Sequence, residues 1–285
     1  MNIDALRFRS IAIRDIRAFF DEREFVEVDT PVRLKAPAPE THIDCPPVLT
    51  GGFLRASPEL QMKKLLAAGM DRIYQIGPCF RDGEFGSRHR SEFTMLEWYR
   101  KGVDYNVIKE DLKALLAGLF SARSKEFSSR TVTVRQMYVD VAGWDPWVEW
   151  NQERFDYDMA LKIEPAIKSE GGGIFLFDYP PQAASLSRIR DDSQGPVAER
   201  WEFYFDGVEI ANCFSELCDS KEQTSRFTAA KAERALLGEA DYPIDEEFLS
   251  KVNEIGSASG VALGVDRLLM ALMGVKDIVH VRVDD

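Results

Sequence analysis

The segment from position 80 to position 100, FRDGEFGSRHRSEFTMLEWYR, contains residue types that can hold a phosphate and a cation. Arg81 opens its polar loop, and an arginine can donate two parallel N–H bonds to a phosphate. His89 and Phe93 form an HxxxF pattern, and an aromatic ring can stack on a purine base. Without a ligand, the same residues would be a surface arginine, a solvated histidine and a core phenylalanine.

The second half of this segment predicts a strand with two different faces. Alternate side chains of a strand share a face, so Phe93, Met95, Glu97 and Tyr99 point one way. A carboxylate on a half-buried face needs a partner, which is either a salt bridge to another strand or a bound ammonium group. Together with Arg81, this face predicts a site for a nucleotide beside a cationic small molecule.

Two carboxylates in VEIANCFSELCD are candidate metal ligands. Glu209 and Glu216 lie seven residues apart, with Asn212 between them. Carboxylates that converge beside a triphosphate can hold Mg²⁺, which prefers oxygen ligands. The alternative is two surface glutamates, because glutamate is mostly exposed in folded proteins.

The segment GVALGVDR, positions 260–267, predicts a strand of small residues that runs into a helix. Gly264 permits a ligand to approach the backbone closely. Arg267 near a helix start is unfavourable, because the helix dipole favours anions there. A bound phosphate would remove this conflict, and so would a pairing with Asp266 or another acid.

Composition narrows the class of protein. The 285 residues include 36 basic and 48 acidic side chains, a formal net charge of −12, which argues against broad binding to nucleic acid. No apolar run approaches the ~20 residues of a membrane span, and the first residues lack a signal peptide. The four cysteines form no CxxC pair, so neither a zinc site nor a disulfide framework is indicated. We expect a cytoplasmic protein without a membrane partner.

The elements that must position these residues alternate between helix and strand. Ser57 is expected to cap a helix whose first residue is Pro58. Residues 124–172 are expected to be mostly helical and residues 36–52 to be a loop. Since the strands connect through hairpins, we predict an α+β fold with an antiparallel sheet. The expected helices are 4–24, 60–68, 105–121, 219–237 and 265–273, and the expected strands include 72–80, 92–100, 174–178 and a hairpin over 200–212.

Taken together, these segments resemble the three motifs of the class II aminoacyl-tRNA synthetase catalytic domain. Motif 1 is positions 14–31, motif 2 is positions 80–93 and motif 3 is positions 260–270. The lysine subclass is most similar, through SPELQMKKLL, EFTMLEWYR and EIANCFSEL. The resemblance implies one catalytic domain over residues 1–285, in which an antiparallel sheet is flanked by helices.

Motif 1 begins near the start of the chain, so we expect the chain to lack the anticodon-binding OB domain of lysyl-tRNA synthetases. This organisation resembles the stand-alone ligases that activate (R)-β-lysine with ATP and transfer it to a lysine of elongation factor P. Ser57 stands where the synthetases have alanine, and Ala262 where they have glycine. Such changes in a pocket can be worth about 1–3 kcal/mol of discrimination.

The resemblance also implies roles for individual residues. Arg81 and Arg267 are expected to be catalytic, and ATP and Mg²⁺ to be required. Glu209 and Glu216 are expected to hold the metal. The expected ATP-binding residues are Arg81, Asp82, Gly83, Glu84, His89, Arg90, Phe93, Glu209, Ile210, Gly264 and Arg267. The expected residues around the amino-acid substrate are Ser57, Pro58, Glu59, Glu97, Tyr99, Asn212, Glu216 and Ala262.

Some positions depart from the family pattern and leave alternatives open. The family's RNE is Arg81-Asp82-Gly83 here, with Glu84 one place later, so either carboxylate could meet adenine. Arg90 replaces an asparagine and Cys213 a glycine. The resemblance implies a homodimer, lysine or (R)-β-lysine as substrate, and elongation factor P rather than tRNA as acceptor. The alternatives are an enzyme that charges RNA or another acceptor, and a non-catalytic regulatory paralogue.

Overall fold

Helices and strands are interspersed through residues 3–283, the part of the chain that the computed structural model describes. The strands are β1 (Val26–Glu27), β2 (Arg33–Leu34), β3 (Phe53–Leu54), β4 (Arg72–Phe80), β5 (Glu92–Lys101), β6 (Ser129–Thr133), β7 (Gly173–Tyr179), β8 (Ile189–Arg190), β9 (Val197–Phe205), β10 (Val208–Ser215) and β11 (Ala258–Gly264). The helices are α1 (Ile3–Asp21), α2 (Glu59–Ala67), α3 (Tyr105–Ser121), α4 (Val134–Met137), α5 (Gln152–Asp158), α6 (Glu164–Glu170), α7 (Ser220–Leu237), α8 (Glu246–Lys251) and α9 (Val265–Met273). Tyr138–Ala142 and Met159–Ile163 are π-helical, and Pro181–Ala183, Val252–Ile255 and Ile278–His280 are 3₁₀ turns.

One large sheet organises the fold. Its strand order is β1-β4-β5-β11-β10-β9-β7-β6, and β8 pairs with β9 beside this path. The central pairs are antiparallel, which confirms the predicted α+β architecture. The two outermost pairs, β1 with β4 and β6 with β7, are parallel, so the sheet is mixed. A separate hairpin of β2 and β3 flanks the predicted loop.

The turn between β9 and β10 shows why the sequence predicts this hairpin. Asp206 and Gly207 both adopt positive φ, 48° and 73°. A two-residue hairpin turn of this kind needs positive φ at both positions, which aspartate and glycine tolerate. The turn starts β10 at the position that brings Asn212 beside Ala262 of β11, and the predicted hairpin is confirmed.

One prediction about local structure was confirmed and one was wrong. The segment 124–172 is mostly helical, as predicted, and it also contains β6, whose five residues are too few for a clear alternation to stand out beside helical neighbours. Helix α2 begins at Glu59, and Pro58 rather than Ser57 is its capping residue. The Ser57 hydroxyl still accepts a bond from the Glu59 N–H at 3.0 Å, but it also donates to Glu97 on β5.

The largest apolar core lies where α1, α3 and α9 pack on the sheet. It contains Leu96 and Trp98 of β5 together with the aliphatic faces of α3 and α9. A second core lies under α2 and α8, and it includes the ring of Tyr99. Strand β5 therefore packs against two different layers of the protein. Within residues 3–283, no helix has both the length and the apolar character that crossing a bilayer demands.

Candidate active site

One face of the central sheet lines a deep pocket. Phe93, Met95, Glu97 and Tyr99 all line it, whereas the intervening Trp98 belongs to the core. The predicted division of β5 into two faces is confirmed. The pocket is closed on its other sides by the loop after β4, by β10, by β11 and by the first turns of α2 and α9.

The structure brings most of the predicted site residues into this one pocket. Pro58 is buried as the cap of α2, and Asp82 and Gly83 form an exposed turn; these three residues do not line the pocket. Of the two candidate carboxylates after Arg81, only Glu84 therefore faces the cavity. The predicted residues that line the pocket are Ser57, Glu59, Arg81, Glu84, His89, Arg90, Phe93, Glu97, Tyr99, Glu209, Ile210, Asn212, Glu216, Ala262, Gly264 and Arg267.

Arg81 lines the pocket and has a buried donor that no described group satisfies. Its Nε is buried without a hydrogen-bond partner among residues 3–283. Its guanidinium carbon lies 5.2 Å from the centroid of the Phe93 ring, and its Nη1 lies 3.5 Å from Glu84 Oε1. A buried donor without an acceptor is costly, so this position favours a bound anion as the missing partner.

Arg267 lies at the same end of the pocket. Its Nη1 donates to the Glu209 carbonyl oxygen at 3.0 Å and to Glu209 Oε2 at 3.3 Å, and its Nη2 lies 2.5 Å from His89 Nε2. Burial and the Arg267 cation lower the pKa of His89, so its ring is neutral near pH 7 and can accept this N–H. We call Arg81, His89, Phe93 and Arg267 the cationic end of the pocket.

Asp266 is not the acid that pairs with Arg267. It accepts a bond from Arg9 Nη1 at 2.5 Å and another from the Thr94 N–H at 2.8 Å. Arg9 also donates to the Thr94 hydroxyl at 2.6 Å. One buried carboxylate therefore joins α1, β5 and the start of α9 directly behind the cationic end.

Glu97 lies at the opposite end of the pocket and is 1% exposed. The Ser57 hydroxyl donates to its Oε2 at 2.9 Å, and the Tyr99 hydroxyl donates to its Oε1 at 2.5 Å. Burial, and the nearby Glu59 carboxylate, raise the pKa of Glu97 to about 7. Gly260 faces Tyr99 across the strand pair, and a side chain there would collide with the Tyr99 ring. The glycine therefore makes the room in which this phenol reaches Glu97.

Lys63, which sequence analysis missed, lies behind the same end. It is fully buried, its Nζ is 2.5 Å from Glu59 Oε1, and it also forms an ion pair with Glu216. Burial lowers the pKa of Lys63, but the charges of Glu216 and Glu59 outweigh burial and keep it protonated. The available signal was the i,i+4 spacing of Glu59 and Lys63, which is common on helix surfaces. We call Glu59, Glu97, Tyr99 and Glu216 the acidic end of the pocket.

Arg200 and Glu40 are among the other pocket residues that sequence analysis missed. Arg200 on β9 donates to Asn212 Oδ1 at 3.2 Å and to Glu202 Oε1 at 2.6 Å. Glu40 lines the pocket from the loop between β2 and β3. No motif contains Glu40, and only the folded chain brings it beside β5 and β10.

The two predicted metal ligands differ in their ion-pair partners and in their exposure. Both Glu209 and Glu216 line the pocket, but Glu216 is bonded to Lys63, whereas Glu209 lies beside Arg267 with a side chain 39% exposed. Over residues 3–283, no three His, Cys, Asp or Glu side chains cluster as a ready metal site. Glu209 thus fits one contact to a Mg²⁺ that also binds phosphate oxygens. A shared ion between Glu209 and Glu216 stays a prediction.

The sheet and the two-ended pocket define a catalytic domain of the class II synthetase type. Residues 2–283 match the family described as class II tRNA synthetases (D, K and N). A protein of Vibrio cholerae is 35% identical over 96% of this chain and 92% of its own length. Proteins of Proteus mirabilis and Edwardsiella ictaluri are each 37% identical, over 93% and 92% of this chain and 90% and 89% of their own lengths. All three are named elongation factor P–(R)-β-lysine ligase.

The chain therefore belongs to the class II tRNA synthetase family and, within it, to the group of elongation factor P–(R)-β-lysine ligases. The resemblance that the three sequence motifs indicated is confirmed.

Proposed function

We propose that this protein activates lysine or (R)-β-lysine with ATP as an aminoacyl-adenylate and transfers the aminoacyl group to a lysine side chain of elongation factor P. The names of its relatives support the acceptor and the amino acid. Class II synthetases use ATP, typically with Mg²⁺. The observation that carries the proposal is the single pocket with a cationic end for phosphate and an acidic end for ammonium groups.

In the first step, an oxygen of the substrate carboxylate attacks the α-phosphorus of ATP in line. A mixed anhydride forms, the bond to the β-phosphate bridging oxygen breaks, and pyrophosphate leaves. Arg81, whose buried Nε has no partner, would hold the carboxylate and the α-phosphate together. The protein contributes position and charge stabilisation rather than covalent chemistry.

The rest of the cationic end would hold the nucleotide. Phe93 and Arg267 would sandwich adenine, and Arg267 with His89 would bind the γ-phosphate. Glu84 is the motif 2 carboxylate that faces the cavity, so it would accept the adenine amino group. Mg²⁺ on the triphosphate would neutralise charge on the leaving pyrophosphate, with Glu209 in contact and Glu216 as the predicted second ligand.

The acidic end would hold the amino groups of the substrate. Glu97 is fixed by two hydroxyl donors, so it presents its charge in one orientation. A substrate with two ammonium groups matches several carboxylates better than a neutral amino acid would. In the second step, the amine of the acceptor lysine attacks the carbonyl carbon of the adenylate, AMP leaves with the C–O electron pair, and the amine loses a proton.

Acceptor labelling tests this function. The protein would be incubated with ATP, radiolabelled (R)-β-lysine or α-lysine, and either elongation factor P or tRNA. We expect label on elongation factor P, and none when its acceptor lysine is replaced by arginine. Label on tRNA alone would support the alternative of an RNA-charging enzyme. Absence of ATP–pyrophosphate exchange with both amino acids would support a non-catalytic paralogue.

Ala262→Gly is expected to shift preference towards α-lysine. Ala262 pairs with Glu97 on one side and with Asn212 on the other, so its methyl group lies at the centre of the pocket floor. Removing it opens room beside Glu97, and one methyl group is worth roughly 10–200-fold in discrimination. The ratio of kcat/KM for α-lysine and (R)-β-lysine measures the shift. Ala258→Gly, on the same strand but outside the pocket lining, is the matched control, and an unaltered ratio for Ala262→Gly would contradict the pocket assignment.

Assembly as a homodimer through motif 1 is also part of the proposal. Two apolar side chains in this region are exposed. Val26, on the strand of motif 1, is 50% exposed, and Ile11, one helical turn before motif 1, is 46% exposed. Their exposure supports a surface that a second copy could cover. The single-domain organisation and the cytoplasmic location stay predictions.

A further inference from the structure

Glu40 is held in a fixed position although it lies in a long loop. Its carbonyl oxygen accepts a bond from Arg234 Nη1 at 2.8 Å, and Arg234 is only 1% exposed. Arg234 also donates to the Ile43 carbonyl oxygen at 3.2 Å and to Asp44 Oδ1 at 2.6 Å. This buried guanidinium on α7 ties down the loop backbone, so the Glu40 side chain is presented to the pocket by a built support.

The Glu40 carboxylate makes no hydrogen bond or ion pair with any side chain or backbone group within residues 3–283. The other acidic residues of the pocket all have partners. Glu97 accepts from Ser57 and Tyr99, Glu59 and Glu216 pair with Lys63, Glu84 with Arg81, Glu209 with Arg267, and Asp266 with Arg9. An unpaired carboxylate in a pocket is costly, so its surroundings favour a bound cation.

The loop that carries Glu40 lies against the loop that carries Arg81, because the Asp82 N–H donates to the Asp44 carbonyl oxygen at 2.8 Å. Burial and the Glu59 charge together raise the pKa of Glu40 to about 7, although the charges of Arg81, Arg200 and Lys63 oppose the rise. Arg81 belongs to the cationic end, whereas Glu59 and Lys63 belong to the acidic end. Glu40 therefore feels charges from both ends of the pocket.

A diamino acid has one amino group near its carboxylate and one at the far end of its chain. With the carboxylate on Arg81 and the far ammonium at Glu97, the near amino group lies in the intermediate region. We propose that Glu40 is a specificity residue whose carboxylate accepts a hydrogen bond from the substrate amino group nearest the reacting carboxyl. This inference rests on the proposed function. It gives a role to Glu40, a carboxylate that lies outside the acidic end assigned to the far ammonium group.

The variant E40Q tests this inference, because glutamine keeps the shape and removes the charge. ATP–pyrophosphate exchange would be measured with (R)-β-lysine, α-lysine and 6-aminohexanoate, which has the carboxylate and the far ammonium but no near amino group. We expect KM for the preferred diamino acid to rise about 10–100-fold, the size of a lost charge-assisted hydrogen bond. KM for 6-aminohexanoate should change less than about twofold, because this substrate has no near amino group to lose the contact. All kcat values should also change less than about twofold, because a contact made equally in the ground state and the transition state affects KM alone.

Two further variants make the test specific. E40D keeps the charge, so it should recover part of the lost affinity for the diamino acid. Glu126→Gln removes an exposed carboxylate outside the pocket, so it should leave KM and kcat unchanged for all three substrates. Equal losses for all three substrates in E40Q would show a general electrostatic or structural role, and no loss would exclude the contact. Either result overturns the inference.

The wild-type protein, assayed in parallel, separates this inference from the proposed function. If wild type activates a diamino acid and E40Q does so equally well, only the role of Glu40 fails. If wild type neither activates nor binds either diamino acid by calorimetry, the proposed function fails and the inference with it.

Discussion

Arg81→Ala is expected to reduce ATP–pyrophosphate exchange by about 10²–10³-fold, the usual loss when a group that stabilises transition-state charge is removed. Arg81 lies 5.2 Å from the Phe93 ring centroid and carries a buried Nε without a partner. In the proposed reaction it is the residue that meets both the attacking carboxylate and the α-phosphate, where negative charge is concentrated. Arg267 is not expected to replace it, because its guanidinium is already engaged by Glu209 and His89.

The exchange rate should be measured at saturating ATP and amino acid, so that weakened ground-state binding does not hide the effect on the chemical step. Arg7→Ala is a matched control, because the Arg7 side chain is 76% exposed on α1 and does not line the pocket. Circular dichroism and thermal melting would show that both variants fold. A folded Arg81→Ala protein with wild-type exchange would refute the role assigned to Arg81.

Lys63→Met is expected to destabilise the folded protein by about 3–5 kcal/mol, because it leaves buried carboxylates without their counter-ion. The Lys63 side chain is 0% exposed, and its partner Glu216 is 1% exposed. Methionine fills a similar volume, so the loss reports charge rather than a cavity. The free energy of unfolding in urea, followed by circular dichroism, measures this difference.

Two comparisons support the assignment of that loss to charge. Lys113→Met removes a lysine that pairs with Glu110 on the surface, where both side chains are more than 40% exposed, and should cost less than about 1 kcal/mol. Adding Glu216→Gln to Lys63→Met should restore part of the stability, since the uncompensated charge is then removed. Equal losses of unfolding free energy in Lys63→Met and Lys113→Met would show that the buried ion pairs stabilise the protein no more than the surface pair does.

The sequence was sufficient for those parts of the site that depend on local periodicity or on family motifs. The faces of β5 follow from alternation, which is why Phe93, Glu97 and Tyr99 could be placed together in advance. The pairing of Arg267 with Glu209 rather than Asp266 could not be predicted. It depends on Arg9, far away in the chain, which already occupies Asp266.

Lys63 and Glu40 were missed for a related reason. The i,i+4 pair of Glu59 and Lys63 is indistinguishable in sequence from a solvated helix pair, and only the approach of Glu216 makes it a buried cluster. Glu40 lies in a proline-rich loop, and its position depends on Arg234, 194 residues later. The parallel outer strands were missed similarly, because strand direction at a sheet edge is set by long connections rather than by residue pattern.

The carboxylate of Asp266 connects the first helix to the cationic end of the pocket. Through its bonds to Arg9 and Thr94, the first helix is joined to both β5, which carries Phe93, and the helix that carries Arg267. If two copies associate through motif 1 and the helical turn that precedes it, subunit contact and nucleotide affinity become linked quantities. Such linkage is reciprocal, so ATP would change self-association by the same factor by which self-association changes ATP binding.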